Sequence, residues 1–182
     1  MPNKNEHAIL FFNRYFGTQL SWIYAGIEST MKKESAHSCA LLLSTYTEVL
    51  GGLVTGNLRE RGETKKNFVA FLPYLGDYYV DLHKKIDLYN TVRSKFVHEF
   101  SLRPSYLIRV NEKTTDIKGL ESINNHLNFN IREYYRDFKK GVENYKKSLV
   151  DSNELFALFI YALAIRDFSS TEGNKKTHQS KR

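Results

Sequence analysis

The residues best suited to chemistry lie in Asn90-Thr91-Val92-Arg93-Ser94-Lys95-Phe96-Val97-His98-Glu99-Phe100. An imidazole with an ordinary pKa of about 6.5 can take or give a proton near neutrality. A guanidinium is a fixed planar fork of donors that matches phosphate oxygens. Arg93 sits on a helical stripe of Leu82, Ile86, Tyr89, Phe96 and Phe100, where periodicity calls for an apolar side chain. It is therefore expected to lean inward. Five residues at about 100° each turn His98 some 140° away from Arg93 on a regular helix, so the two do not share a face. Either the helix is distorted near His98, or a two-fold partner supplies the second Arg and His. Glu48 on an earlier helix could pair with Arg93, or be an ordinary surface carboxylate. Asn90, one turn before Arg93, could orient a phosphate or the guanidinium. Ser94 can still hydrogen-bond, and Lys95 could serve the site or merely pair with Glu99 at i,i+4.

Arg93-x4-His98 on a late helix of an all-α chain resembles the HEPN family. The likeness covers residues 7 to 168 in architecture and rests on this motif for specificity. It implies a small helical bundle, a homodimer, and a metal-independent endoribonuclease whose Arg and His residues, here Arg93 and His98, meet across the dimer. It further implies RNA as substrate, an antitoxin or nucleotidyltransferase as partner in a toxin–antitoxin or defence setting, and no cofactor. Active members most often carry Asn, Asp or His directly after the motif Arg, and this chain has Ser94. A non-catalytic nucleotide- or protein-binding module, or a purely structural helical dimer, therefore stands as the alternative. Cleavage of RNA by its own 2′-hydroxyl needs a base, an acid for the 5′-oxygen and positive charge on the phosphorane. Imidazole serves either proton transfer and Arg93 supplies the charge.

Other chemistries lack their residues. There is no Gly-x-Ser-x-Gly elbow, and His98-Glu99 has no second His at metal-ligand spacing. Residues 56 to 66 hold glycines and lysines, but not in the order that cradles phosphates. Asp77, Asp81 and Asp87 lie among lysines and read as a solvated face, and His7, His37, His83, His126 and His178 as surface or packing residues. No metal site is expected.

The elements that must position the motif follow from periodicity. Phe12, Phe16, Leu20, Ile23, Ile27 and Met31 line one face of a long first helix. Leu42, Tyr46, Val49 and Leu53 mark a second from His37 to Val54, where Gly51 and Gly52 weaken its end or admit a close neighbour. A charged connector and an apolar patch, Phe68 to Leu75, broken by Pro73, lead to a third helix predicted over 77–100. Tyr106 to Val110 alternates as a strand, with Thr114 to Ile117 a candidate hairpin partner. Ile131, Tyr134, Phe138, Val142, Tyr145 and Leu149 mark a fourth helix, and 153–168 a fifth, capped by Ser152 or Asn153. The expectation is all-α: a bundle of about five helices with a small β-hairpin.

Composition sets the frame. With 41% hydrophobic and 26% charged residues in 182 positions, one globular domain is expected over 1–168. Residues 169–182 read as a disordered basic tail. The net charge of +7 permits polyanion binding without demanding it. Single Cys39 admits no internal disulfide, and a short apolar start lacks a secretory core, so cytoplasm is the expected compartment. Leu155 to Ile165, read as the most apolar stretch, is too short to span a bilayer, and no membrane segment is expected.

Overall fold

A computed structural model describes residues 4–58, 61–94, 106–109, 118–123 and 126–164. The chain is a predominantly helical bundle with one small sheet. Helix α1 spans Lys4–Lys32, and of its expected stripe Phe12, Phe16, Ile23 and Ile27 are buried while Leu20 and Met31 pack at the core edge. The reversal after it puts Glu34 at φ 54°, a left-handed position.

Helix α2, Ala36–Thr55, buries Cys39, Ala40, Leu43, Thr47, Leu50, Gly51, Gly52 and Leu53, and ends on left-handed Gly56. The expected stripe of Leu42, Tyr46 and Val49 is only partly buried. Neighbours cover α2 on several sides, so a one-face reading selects the wrong arc. Among the described residues α2, not Leu155 to Ile165, is the one helix long and apolar enough to cross a membrane, and half of it is buried inside the bundle.

Among the described glycines, Gly51 has the closest neighbour. A Cβ there would lie 1.6 Å from the Asn67 carbonyl oxygen, so α2 and α3 touch backbone to backbone. Helix α3 is Thr64–Leu75. Pro73, expected to break this patch, lies exposed inside the last turn of α3, and the helix ends two residues later at Leu75.

The helix predicted over 77–100 is interrupted. Helix α4 covers Asp77–Ile86, Asp87 turns left-handed at φ 44°, and a π-helical segment takes Tyr89–Ser94. Residues 95–100, with Lys95 and His98, lie outside the described residues.

The hairpin expectation also changes. Strand β1, Tyr106–Arg109, pairs in parallel with β3, His126–Asn130, in register Tyr106 to Leu127. Strand β2, Leu120–Ile123, is the antiparallel neighbour of β3, giving the order β1-β3-β2. The hairpin is thus β2–β3; residues 114–117 lie outside the described residues. A Cβ on Gly119 would come within 2.5 Å of the Tyr134 backbone, so the sheet sits directly against the next helix.

That helix, α5, spans Ile131–Asp151, and Asn130 caps it by accepting the Glu133 N–H at 3.4 Å. All six residues of its expected stripe are buried. Helix α6 runs over Asn153–Ala164, and Ser152 supplies the cap by accepting the Leu155 N–H at 3.1 Å. Phe12 stacks on Phe159 at 5.4 Å and Tyr145 meets Phe71 edge-on, which binds α1, α3, α5 and α6 around one aromatic core. The predicted tail, 169–182, lies outside the described residues.

Candidate functional site around Arg93

The site begins at Asp87. Its carboxylate accepts from the Asn90 side chain at 2.7 Å, the Asn90 backbone N–H at 3.4 Å and Lys65 of α3 at 2.7 Å. Leu88 N–H is taken by His83 Nδ1 at 3.1 Å. These bonds satisfy donors released when α4 stops, and Asp is among the residues that tolerate the left-handed turn. Burial pushes the Asp87 carboxyl up, but the bonds from Lys65 and Asn90 and the Lys65 charge outweigh it and hold it below the usual carboxylate range.

The restart positions Arg93. Tyr89 hydrogen-bonds Thr64 at the start of α3 at 2.6 Å and sets its ring edge-on to Phe68, while Leu88 and Val92 are buried. The segment is thus clamped to α3 on one side and the core on the other. Arg93 then points at α2, and its Nε donates to Glu48 Oε2 at 2.8 Å. Both side chains are about 15% exposed, at 16% and 15%. The inward lean and the pairing with Glu48 are present, and the observed bond uses one of the five guanidinium donors.

Of the other sequence candidates, Asn90 is not directed at Arg93; its side chain caps the segment through Asp87. Ser94 ends the segment, half-buried. Lys95 and His98 lie outside the described residues. Arg93 is thus carried on a π-helical segment, in which bonding runs i→i+5, rather than on a regular α-helix. Such segments recur at functional sites.

A second polar group sits behind the ion pair. Thr47, the neighbour of Glu48, bonds the Tyr134 hydroxyl at 3.0 Å inside the core, and Tyr79 donates to Asp137 at 2.5 Å. Burial raises the Tyr134 hydroxyl above the ordinary phenol range, partly offset by Thr47. Burial likewise raises the Tyr79 hydroxyl well above that range, with the Asp137 charge adding to it. Both hydroxyls stay protonated at neutral pH, and Tyr79 is the donor to Asp137. Sequence reasoning did not single these residues out, although Thr47 bears the same mark as Arg93, a polar side chain among buried helical positions. Among the described residues no group of three His, Cys, Asp or Glu could hold a metal ion. No family model, no curated protein and no solved structure matches the chain.

Proposed function

We propose that this chain is a HEPN-like, metal-independent endoribonuclease that acts as a homodimer. The observation that carries the reading is the Arg93–Glu48 pair: a guanidinium drawn off the apolar stripe, held at 2.8 Å by a partly buried carboxylate and mounted on a π-helical segment. A clamped guanidinium is preorganised for a phosphate, since its orientation is set before substrate arrives. In the proposed reaction the 2′-hydroxyl loses its proton to one imidazole and attacks phosphorus. The 5′-oxygen leaves with a proton from a second imidazole, giving a 2′,3′-cyclic phosphate and a 5′-hydroxyl. His98 of each protomer fills one of these roles and Arg93 stabilises the phosphorane charge. An antitoxin or nucleotidyltransferase would be the natural partner of such an activity.

The same pair favours a second reading. Glu48 neutralises much of the Arg93 charge, and Ser94 stands where active family members carry another residue, which suits a nucleotide-binding module without cleavage. Incubation of purified protein with mixed cellular RNA in excess EDTA separates the two. The nuclease yields cyclic-phosphate fragments that disappear in Arg93→Ala and His98→Ala; the binding module retains nucleotide through Arg93 and yields none.

A further inference from the structure

Helices α1 and α6 present a surface unlike the rest of the chain. From Tyr15 to Ile27 and from Leu155 to Ala164 there is no Asp, Glu, Lys, Arg or His. At the overall charged fraction of 26%, about six charges would fall in these 23 positions. Burial explains only part of this. Within them Trp22 is 70% exposed, Tyr161 57%, Tyr15 41% and Ile160 38%. Thr18, Ser21 and Ala25 are exposed too. Beside Trp22 opens a cleft of about 290 Å³ between α1, α2 and α6, walled by Phe16, Ile23, Tyr46, Val49 and Leu163.

This composition fits the covered centre of a protein interface, where charge is depleted and Trp and Tyr are enriched. A helix lying on a lipid surface carries Lys or Arg along its polar face, and the exposed positions of α1 from Tyr15 to Ile27 carry none. Tyr15, Gln19, Trp22 and Gly26 follow one another at spacings of four, three and four, so they form one line along α1. Around Gly26 there is open space where a Cβ would go, which leaves room for another backbone.

We infer that this face binds a second copy of the chain. The uncharged stretch of α1 is centred near Trp22, so an antiparallel crossing there under a two-fold axis places each protruding Trp22 over the cleft beside the other. A protrusion next to its own receptacle is what an isologous contact requires. Aromatic side chains of about 150–250 Å² put the exposed apolar area of these four large residues on the order of 450 Å² per protomer. With the polar rim that approaches the roughly 800 Å² per partner of a stable interface. On α2, Glu48 points about 160° away from Tyr46 and about 100° away from Val49, the two cleft residues of that helix, so the carboxylate that holds Arg93 is directed away from this face. This contact is distinct from the one that would bring His98 of two protomers together, so the inference does not rest on the ribonuclease reading and adds a twofold step in mass to whatever assembly that reading requires.

Trp22 is the only tryptophan, so its fluorescence reports on this face alone. The experiment measures mass by sedimentation equilibrium together with Trp22 emission and iodide quenching, from nanomolar to tens of micromolar full-length chain. The expected result is a twofold step in mass that coincides with a blue shift and loss of quenching. Tyr161→Arg, and independently Ala25→Arg, should lower the mass twofold and leave Trp22 quenchable throughout, each with unchanged far-UV circular dichroism. Arg93→Ala should leave the step intact. Equal mass in wild type and both variants overturns the inference. So does Trp22 shielding that is independent of concentration, or that appears only when phosphatidylcholine vesicles are added.

Discussion

Removing Glu48 tests the brace that positions Arg93. In Glu48→Ala the guanidinium keeps its place at the core edge but loses the carboxylate 2.8 Å away. Exposed pairs contribute about 0–1 kcal/mol, whereas breaking a buried pair costs about 3–5 kcal/mol because the remaining charge is stranded. With both side chains about 15% exposed, the loss should fall between, at about 2–3 kcal/mol. For a domain of this size that lowers Tm by about 5–10 °C. Replacing both partners by apolar side chains, Glu48→Leu with Arg93→Met, strands no charge and should cost less than Glu48→Ala alone. Urea melts followed by far-UV circular dichroism, arranged as a double-mutant cycle, should give a coupling of about 1.5–2 kcal/mol. A Glu48→Ala loss below about 0.5 kcal/mol, or strictly additive effects, would refute the brace.

Gly51→Ala should cost at least about 3 kcal/mol in the same melts, because its Cβ would meet the Asn67 carbonyl oxygen at 1.6 Å; a neutral result would mean α2 and α3 do not touch as described. Asp87 has a lowered pKa when folded, so its contribution is present above the unfolded value of about 3.9 and fades as pH falls through the folded value. Asp87→Asn should therefore melt below wild type at neutral pH and converge with it in acid, and a gap that widened in acid would reverse the sign. Buried Tyr79, Tyr134 and Tyr145 have raised folded values, so their contribution is complete below about pH 10 and is lost as pH rises through the higher folded values. Alkaline titration should show phenolate absorbance from these three appearing together with loss of helical dichroism; reversible ionisation of all twelve tyrosines in folded protein would contradict their burial.

The parts legible in the sequence are those governed by one-sided burial. The α1 and α5 stripes map onto the buried face because each helix packs against the core along one side. Arg93 was visible for the same reason, as a misfit on such a stripe, and the glycines of α2 disclosed a close neighbour. The break at Asp87 was hidden because apolar spacing runs through it from Leu82 to Tyr89. It is set by one carboxylate holding Asn90 and, from another helix, Lys65. Pro73 read as a breaker because periodicity does not say that it stands in a terminal turn. The partner of β1 was out of reach of a local reading, since β1 pairs in parallel with a strand some twenty residues on rather than with its neighbour in sequence.

The most direct test of the central claim compares wild type with His98→Ala and Arg93→Ala on RNA in excess EDTA, with product ends assigned as 2′,3′-cyclic phosphate or not. Wild type is expected to give cyclic-phosphate ends and each folded variant a rate lower by about 10²–10⁴, the range for losing an acid–base group or a charge-stabilising donor. Intact RNA after incubation with folded wild type, or equal cleavage by all three proteins, would contradict it.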